Sequence, residues 1–273
     1  MALEDHYFSH FKYTKSESDA LVTALYCDPE DLNLRYLQYD AIFDKSRSGV
    51  NGTFYSYHDE EKDIEPYALG IFMENGYKVK NGSDINGVDK KDKRRYRGTM
   101  YYLNGKVNVG VCFNIKQLTY ERVSWAVGGF SLHLDQSLTD EEYRKSLEIE
   151  ELKNVDSGTN TRPRTLLGYD ISKNKMLLVT VFNYDDPKNF KKGVTIYEGR
   201  QLMRRLGCDM GIHLDGGGSS AVVVRPIGGD IHKGFTTDGG LGKTGFMIDT
   251  GTSESTPQES STISGSTDIW IGL

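Results

Sequence analysis

The chain has 273 residues and a formal net charge of -6, from 33 basic and 39 acidic residues. Hydrophobic residues make up 37% and charged residues 26%, the balance of a globular chain long enough to bury a sizeable core. The acidic balance argues against a general binder of nucleic acid polymers, and no apolar run reaches the ~18 residues that a membrane span needs.

The first stretch, MALEDHYFSHFKY, is charged and aromatic and lacks an apolar h-region, so no signal peptide is expected and a cytoplasmic location is the default. Cys27, Cys112 and Cys208 are isolated, with neither zinc spacing nor a disulfide framework, and they fit a reducing compartment. The first 26 residues carry mixed signals. DLNLRYLQYDAIF then alternates apolar and polar residues from Leu32 to Phe43, which reads as strand. Residues 66–80 and 99–115 read as strands and hairpins, with Asn104-Gly105 a strong turn signal. The basic run DKKDKRRYRG, residues 89–98, is ordinarily a solvated loop; a phosphate-facing role is the alternative.

SWAVGGFSLHLD, residues 124–135, reads as a strand interrupted by a glycine pair. SLTDEEYRKSLEIEEL reads as a helix or acidic surface segment, capped by Thr139 with Glu142 completing a capping box. TLLGYDISKNKMLLVTVF is a hairpin turning at Ser172-Lys173-Asn174. GVTIYEGRQLMRRLG is the clearest helix, with Val194, Ile196, Tyr197, Leu202, Met203 and Leu206 roughly on one face and Gly207 as its stop. DMGIHLD is a buried strand. Beyond Asp249 the chain turns Ser/Thr-rich. The expected organisation is therefore one domain over residues 1–249 and a flexible tail over 250–273 that docks on the domain or contacts a partner. The expected fold class is α+β: a single domain with a large mixed β-sheet and a few packing helices.

The stretch GIHLDGGGSSAVVV, from Gly211 to Val224, asks for a functional reading. Around Ser219 it falls one residue short of the G-x-S-x-G nucleophile elbow, which also needs a following helix, whereas AVVVR favours strand. TDGGLGKTG near Lys243 imitates a P-loop, but it lacks the first glycine and FMID is no helix start. On a strand, Ile212 and Leu214 point into the core while His213 and Asp215 share the other face at the carboxyl end. Gly216, Gly217 and Gly218 let a ligand approach the main chain, and their N–H groups, with the hydroxyls of Ser219 and Ser220, suit anionic or sugar oxygens.

These segments together resemble the phosphodiester glycosidase domain family, over most of residues 20–250. LDGGGSSAVVV is similar to the family's LDGGGSS-type signature, VNGTFY (Val50 to Tyr55) to its N-G-G-F-F segment, and AVGGFSLHLD to its A-x-G-G-x-P segment. RPRTLLGYD resembles its P-R-T-x-x-G segment, and the helix ahead of the signature resembles the family's G-x-T-L-x-E helix. The order and spacing also match. The resemblance implies a pocket that holds Asn51, Arg164, Thr165, Asp215, Gly216, Gly217, Gly218, Ser219 and Ser220.

Within it, Arg164 suits a phosphate, since a guanidinium fork matches its oxygens. The chain also departs from the family. His213 stands where the family has Asn, as a general acid/base or as a substitute hydrogen-bond donor. Lys243 replaces a late Arg, Asp238 precedes it, and Thr53 replaces the second glycine of N-G-G-F. Asn183-Tyr184-Asp185-Asp186 stands where D-G-R is common.

The implied reaction is hydrolysis of a sugar-1-phosphodiester at the glycosidic C1–O bond, catalysed by Asp215, Arg164 and His213. Asn51, Thr165, the glycines, Ser219, Ser220, Asp238 and Lys243 would bind a substrate that is a glycoconjugate, a surface polymer or a nucleotide derivative. The resemblance assigns no cofactor. A divalent cation bridging phosphate and carboxylate is left open, without a ligand motif that demands it. The altered positions support a second reading, a non-catalytic binder of sugar phosphates or nucleotide-like ligands. The tail supports a third, a module of a viral or cell-surface assembly, with a virion-associated location.

Overall fold

A computed structural model of the protein describes residues 6–13, 18–38, 48–56, 65–87, 95–150, 159–183, 192–224, 233–236, 244–250 and 270–271. In chain order the strands begin with β1 (His6–Tyr13), β2 (Ser18–Cys27), β3 (Asn33–Tyr36), β4 (Gly49–Asn51), β5 (Phe72–Glu74), β6 (Tyr77–Lys78), β7 (Arg97–Leu103) and β8 (Lys106–Cys112). They continue with β9 (Trp125–Ser131), β10 (Arg164–Asp170), β11 (Lys175–Asn183), β12 (Met210–His213), β13 (Ala221–Val224), β14 (Lys233–Thr236), β15 (Phe246–Asp249) and β16 (Trp270–Ile271). The helices are α1 (Asp140–Ser146) and α2 (Ile196–Arg205).

Eleven of these strands form one sheet, ordered β16-β1-β2-β11-β10-β12-β9-β5-β6, with the β7–β8 hairpin joined to β9. The other five form a second sheet, β14-β13-β4-β15-β3. The α+β expectation holds, with few helices. The pairing differs in one respect from a mixed sheet: every ladder among the described residues is antiparallel. Short turns make neighbours antiparallel. The Asn104-Gly105 turn joins β7 to β8 with φ of 51° and 78°, the paired left-handed conformation of a tight hairpin. The helical crossover through α2 links β11 to β12. Those two strands run the same way, but β10 lies between them and pairs with both.

Alternation along β11 builds two cores. Leu177, Val179 and Val181 face the helices, with Tyr143, Leu147, Ile196, Leu202 and Met203. Met176, Leu178 and Phe182 face the second sheet, with Val50, Val222, Phe246 and Ile248. The large sheet is thus covered on both faces, by helices on one and by the small sheet on the other. This also explains the mixed signals in the first 26 residues. In β2, Ala20, Val22, Ala24 and Tyr26 pack on the helix side while Leu25 and Cys27 pack between the sheets. Burial on both faces removes the polar half of the strand pattern.

Both helices start as their sequences ask. Thr139 and Thr195 accept from the N–H groups of Glu142 and Glu198, and each glutamate returns the bond, so each cap is a capping box. Gly207, at φ +86°, lies just past α2. At the other end of the chain, Ile271 and Trp270 pair with Ser9 and His10 of β1. Of the rest of the expected tail only Thr250 is described; it is buried and donates its N–H to the Ser48 carbonyl at 3.1 Å. No helix among those residues is long and apolar enough to cross a membrane.

Candidate active site

β12 brings the chain out of the large sheet at Asp215, and β13 carries it into the small sheet from Ala221. The glycine stretch is the bridge between the sheets, folded as one 3-10 turn over Gly217–Ser219. Its three glycines are needed for different reasons. A side chain at Gly216 would press on the Pro163 carbonyl oxygen. Gly217 sits at φ +61°, in the left-handed region, and donates its N–H to the same carbonyl at 2.9 Å. Gly218 is exposed, and a Cβ there would meet nothing within 4 Å.

Beneath the turn lies a buried polar clamp. Asn51, fully buried, donates from Nδ2 to the Asp215 carbonyl at 2.8 Å. Its Oδ1 accepts from the Thr165 hydroxyl at 2.7 Å and from the Ala221 N–H at 3.0 Å. Ser220, also buried, lies 3.5 Å from the Thr165 hydroxyl. One asparagine therefore ties β4, β10, β13 and the signature turn together. Satisfying these groups internally is what allows them to be buried.

The Asp215 carboxylate is buried against the turn and accepts the Gly216 N–H. The residue lines a cleft of about 170 Å³ with Phe54, Tyr55, Asn86, Arg95, Arg97 and the glycines Gly70, Gly87, Gly128 and Gly129, and Leu69 completes the wall. Burial raises its pKa to about 7; hydrogen bonds from the Ser219 side chain and the Gly216 N–H, the latter at 2.9 Å, pull in the opposite direction. Arg97 is buried, with its guanidinium carbon 4.1 Å from the Phe130 ring centroid and 6.0 Å from that of Phe54. The Gly128–Gly129 pair does not interrupt β9. It lies between the part of β9 that pairs with β5 and the part that pairs with β12. Side chains there would collide with Asn86 and with the His213 carbonyl. Thr53, the departure from N-G-G-F, donates its hydroxyl to the Gly128 carbonyl at 2.7 Å and so props the cleft floor.

The remaining predicted residues fall elsewhere. His213 is buried, within 6.4 Å of both the Phe54 and Phe130 ring centroids, and neither ring nitrogen has a hydrogen-bond partner among the described residues. Burial first, and the nearby Arg164 charge second, hold its pKa well below the usual imidazole range. Its ring does not line the cleft. Arg164 is buried too. It donates from Nε to the Val194 carbonyl at 3.0 Å and from Nη2 to the Asn160 carbonyl at 2.7 Å, joining β10 to the entry of α2. Asp238 and Lys243 lie outside the described residues, as do Asp185 and Asp186. Asn183 closes β11 and is buried. Among the described residues no group of three or more His, Cys, Asp or Glu side chains is placed to hold a metal.

Sequence reasoning assigned the cationic contact to Arg164 and Lys243, with a phosphate-facing basic run as the alternative, whereas the arginines lining the cleft are Arg95 and Arg97. Both belong to the basic run 89–98. The available signal was the alternation of Arg95 and Arg97 around Tyr96 at the mouth of a strand, which puts both on one side.

The same fold occurs in solved structures. The catalytic domain of zebrafish N-acetylglucosamine-1-phosphodiester alpha-N-acetylglucosaminidase, auto-inhibited by its pro-peptide, aligns with a TM-score of 0.60 at 15% identity, over 91% of this chain and 83% of that one. A putative exported protein from Burkholderia pseudomallei K96243 aligns with a TM-score of 0.57 at 12% identity, over 85% and 74%. No curated protein matches the sequence. The class is therefore the two-sheet α+β fold of these proteins. Within it the chain belongs to the phosphodiester glycosidase family, whose model matches residues 44–248.

Proposed function

We propose that the protein hydrolyses a sugar-1-phosphodiester at the glycosidic C1–O bond, with Asp215 as the proton-transferring group and Arg95 and Arg97 as the anion contact. The observation that carries this reading is a carboxylate with a pKa near 7 lining one cleft with two guanidinium groups. A general base works best when its pKa lies near the working pH, and developing phosphate charge is best met by fixed cations in a site with little water.

The steps balance simply. The C1–O bond breaks with its electron pair going to the phosphate oxygen, which leaves as a phosphomonoester. Water bonds to C1 and gives its proton to the Asp215 carboxylate. The leaving phosphate carries its own negative charge and needs little protonation, so proton acceptance from water is the role left for Asp215. Arg95 and Arg97 stabilise the departing anion. Asn51, Thr165 and Ser220 hold the carboxylate's backbone in place, while the exposed Gly218 lets the sugar come close to the main chain. In this reading His213, neutral and enclosed, supports the cleft through Phe54 and Phe130.

The test is incubation with a GlcNAc-1-phosphodiester, with released sugar quantified for the wild type and for Arg97→Gln. Turnover by the wild type, with at least a tenfold loss of kcat/KM in the variant, is expected. Tight retention of the compound without sugar release would replace the hydrolase by a binding protein for the same chemistry.

A further inference from the structure

We infer that Glu150 is the positioning residue of the cleft's cationic wall: its carboxylate ties together the parting ends of β7 and β9, so that Arg97 is held flat on Phe130 and turned to the cleft. The consequence for ligands rests on the reading of Arg97 as an anion contact; the tie itself does not.

β7 and β9 pair from Tyr102↔Trp125 down to Gly98↔Gly129. Beyond that pair the β7–β9 ladder stops, while Phe130 and Ser131 pair with His213 and Ile212 of β12 along the other edge of β9. Two strands that part inside a protein leave amides to satisfy. Glu150 supplies the acceptor. Its Oε2 takes the Gly98 N–H at 2.6 Å and the Ser131 N–H at 3.0 Å. The residues next to those two amides are Arg97 and Phe130, the pair whose guanidinium and ring stack at 4.1 Å. A side chain at Gly98 would collide with Ser131, so only glycine lets the two strand ends come this close.

α1 delivers the group. Tyr143 donates its hydroxyl to the Ser131 carbonyl at 2.8 Å, Leu147 is buried under the helix end, and the Glu150 N–H closes a turn on the Leu147 carbonyl at 3.1 Å. The Glu150 side chain is fully buried, with Oε1 3.8 Å from His133 Nε2. Burial pushes the Glu150 carboxyl up from the ordinary carboxylate range, and the two N–H donors, with the Arg97 charge after them, pull the other way. The pair therefore works in both directions: the Arg97 charge offsets part of the cost of burying the Glu150 carboxyl group, and Glu150 fixes the strand ends that aim Arg97.

The experiment compares Glu150→Ala and Glu150→Gln in the full chain, the second because an amide oxygen still accepts from both N–H groups and protects the fold. Three quantities are read: exchange protection of the Gly98 and Ser131 amides, the NMR signal of Arg97 Nε–H, and the affinity for inorganic phosphate with Arg97 intact or replaced by glutamine. Glu150→Ala is expected to remove the protection and shift the Arg97 signal. It should weaken phosphate binding roughly tenfold when Arg97 is present and by less than about twofold when it is absent. Glu150→Gln is expected to keep the protection and still shift the Arg97 signal. An unmoved Arg97 signal in both variants overturns the inference, as does an equal loss of affinity in the two Arg97 backgrounds. Phosphate binding that ignores Arg97→Gln while the Arg97 signal still responds to Glu150 would instead overturn only Arg97's part in the proposed function.

Discussion

The three consecutive glycines of the signature are not equivalent, and substitution separates them. Gly217 adopts φ +61°, so Gly217→Ala is expected to cost about 1–2 kcal/mol of stability, measured by denaturant unfolding. Gly218 meets no protein atom that would resist a methyl group. Gly218→Ala should leave unfolding within about 0.5 kcal/mol of wild type while lowering activity, if the sugar approaches the main chain there as proposed. Asp215 adds a pH test with a definite sign. Its folded pKa of about 7 lies above an unfolded value near 3.9. The stability that comes from keeping its proton is complete below about pH 4 and is lost as pH rises through about 7. Asp215→Asn should therefore melt higher than wild type at pH 8, and by a smaller margin at pH 5. A melting temperature lowered at pH 8 would show that the carboxylate is not held against its own ionisation.

Strands and helices show how far local signals reach. The Thr139–Glu142 capping box, the Asn104-Gly105 hairpin and the Gly207 stop were readable, because each rests on residues within a few positions of one another. β2 was not, since burial on both faces leaves no alternation to read. The antiparallel pairing was also out of reach: α2 looks like an ordinary crossover until β10 is seen between the strands it joins. Thr195→Ala should cost about 1 kcal/mol through the lost α2 cap. Arg164 acts at the same junction. Arg164→Lys keeps the charge but not the fork that reaches the Val194 and Asn160 carbonyls, so thermal unfolding should drop by the equivalent of about 2 kcal/mol. Unchanged unfolding together with lost phosphate binding would return Arg164 to a ligand role.

Across the whole molecule, the site forms where the large sheet hands the chain to the small one. The segments that resemble the family converge there: Asn51 from β4, Thr165 from β10, Gly128 and Gly129 from β9, and the signature itself. That convergence was legible as a set of segments but not as a division of labour. Asn51, Thr165 and Ser220 read as ligand contacts from sequence, yet they spend their hydrogen bonds on one another and on the backbone. Arg95 and Arg97 were hidden inside a run whose composition suits solvent, and Glu150 inside an acidic segment that reads as surface. Their places depend on contacts across 52 and 19 residues of chain, beyond any local pattern. The protein's central chemistry can be tested by one measurement, the pH dependence of sugar release from a GlcNAc-1-phosphodiester by the wild type and by Asp215→Asn. With Asp215 as the base, wild-type kcat/KM rises with pH and levels off above an apparent pKa near 7, and the variant loses at least about a hundredfold. Full activity in Asp215→Asn, or a rising limb that survives the substitution, would contradict the assignment.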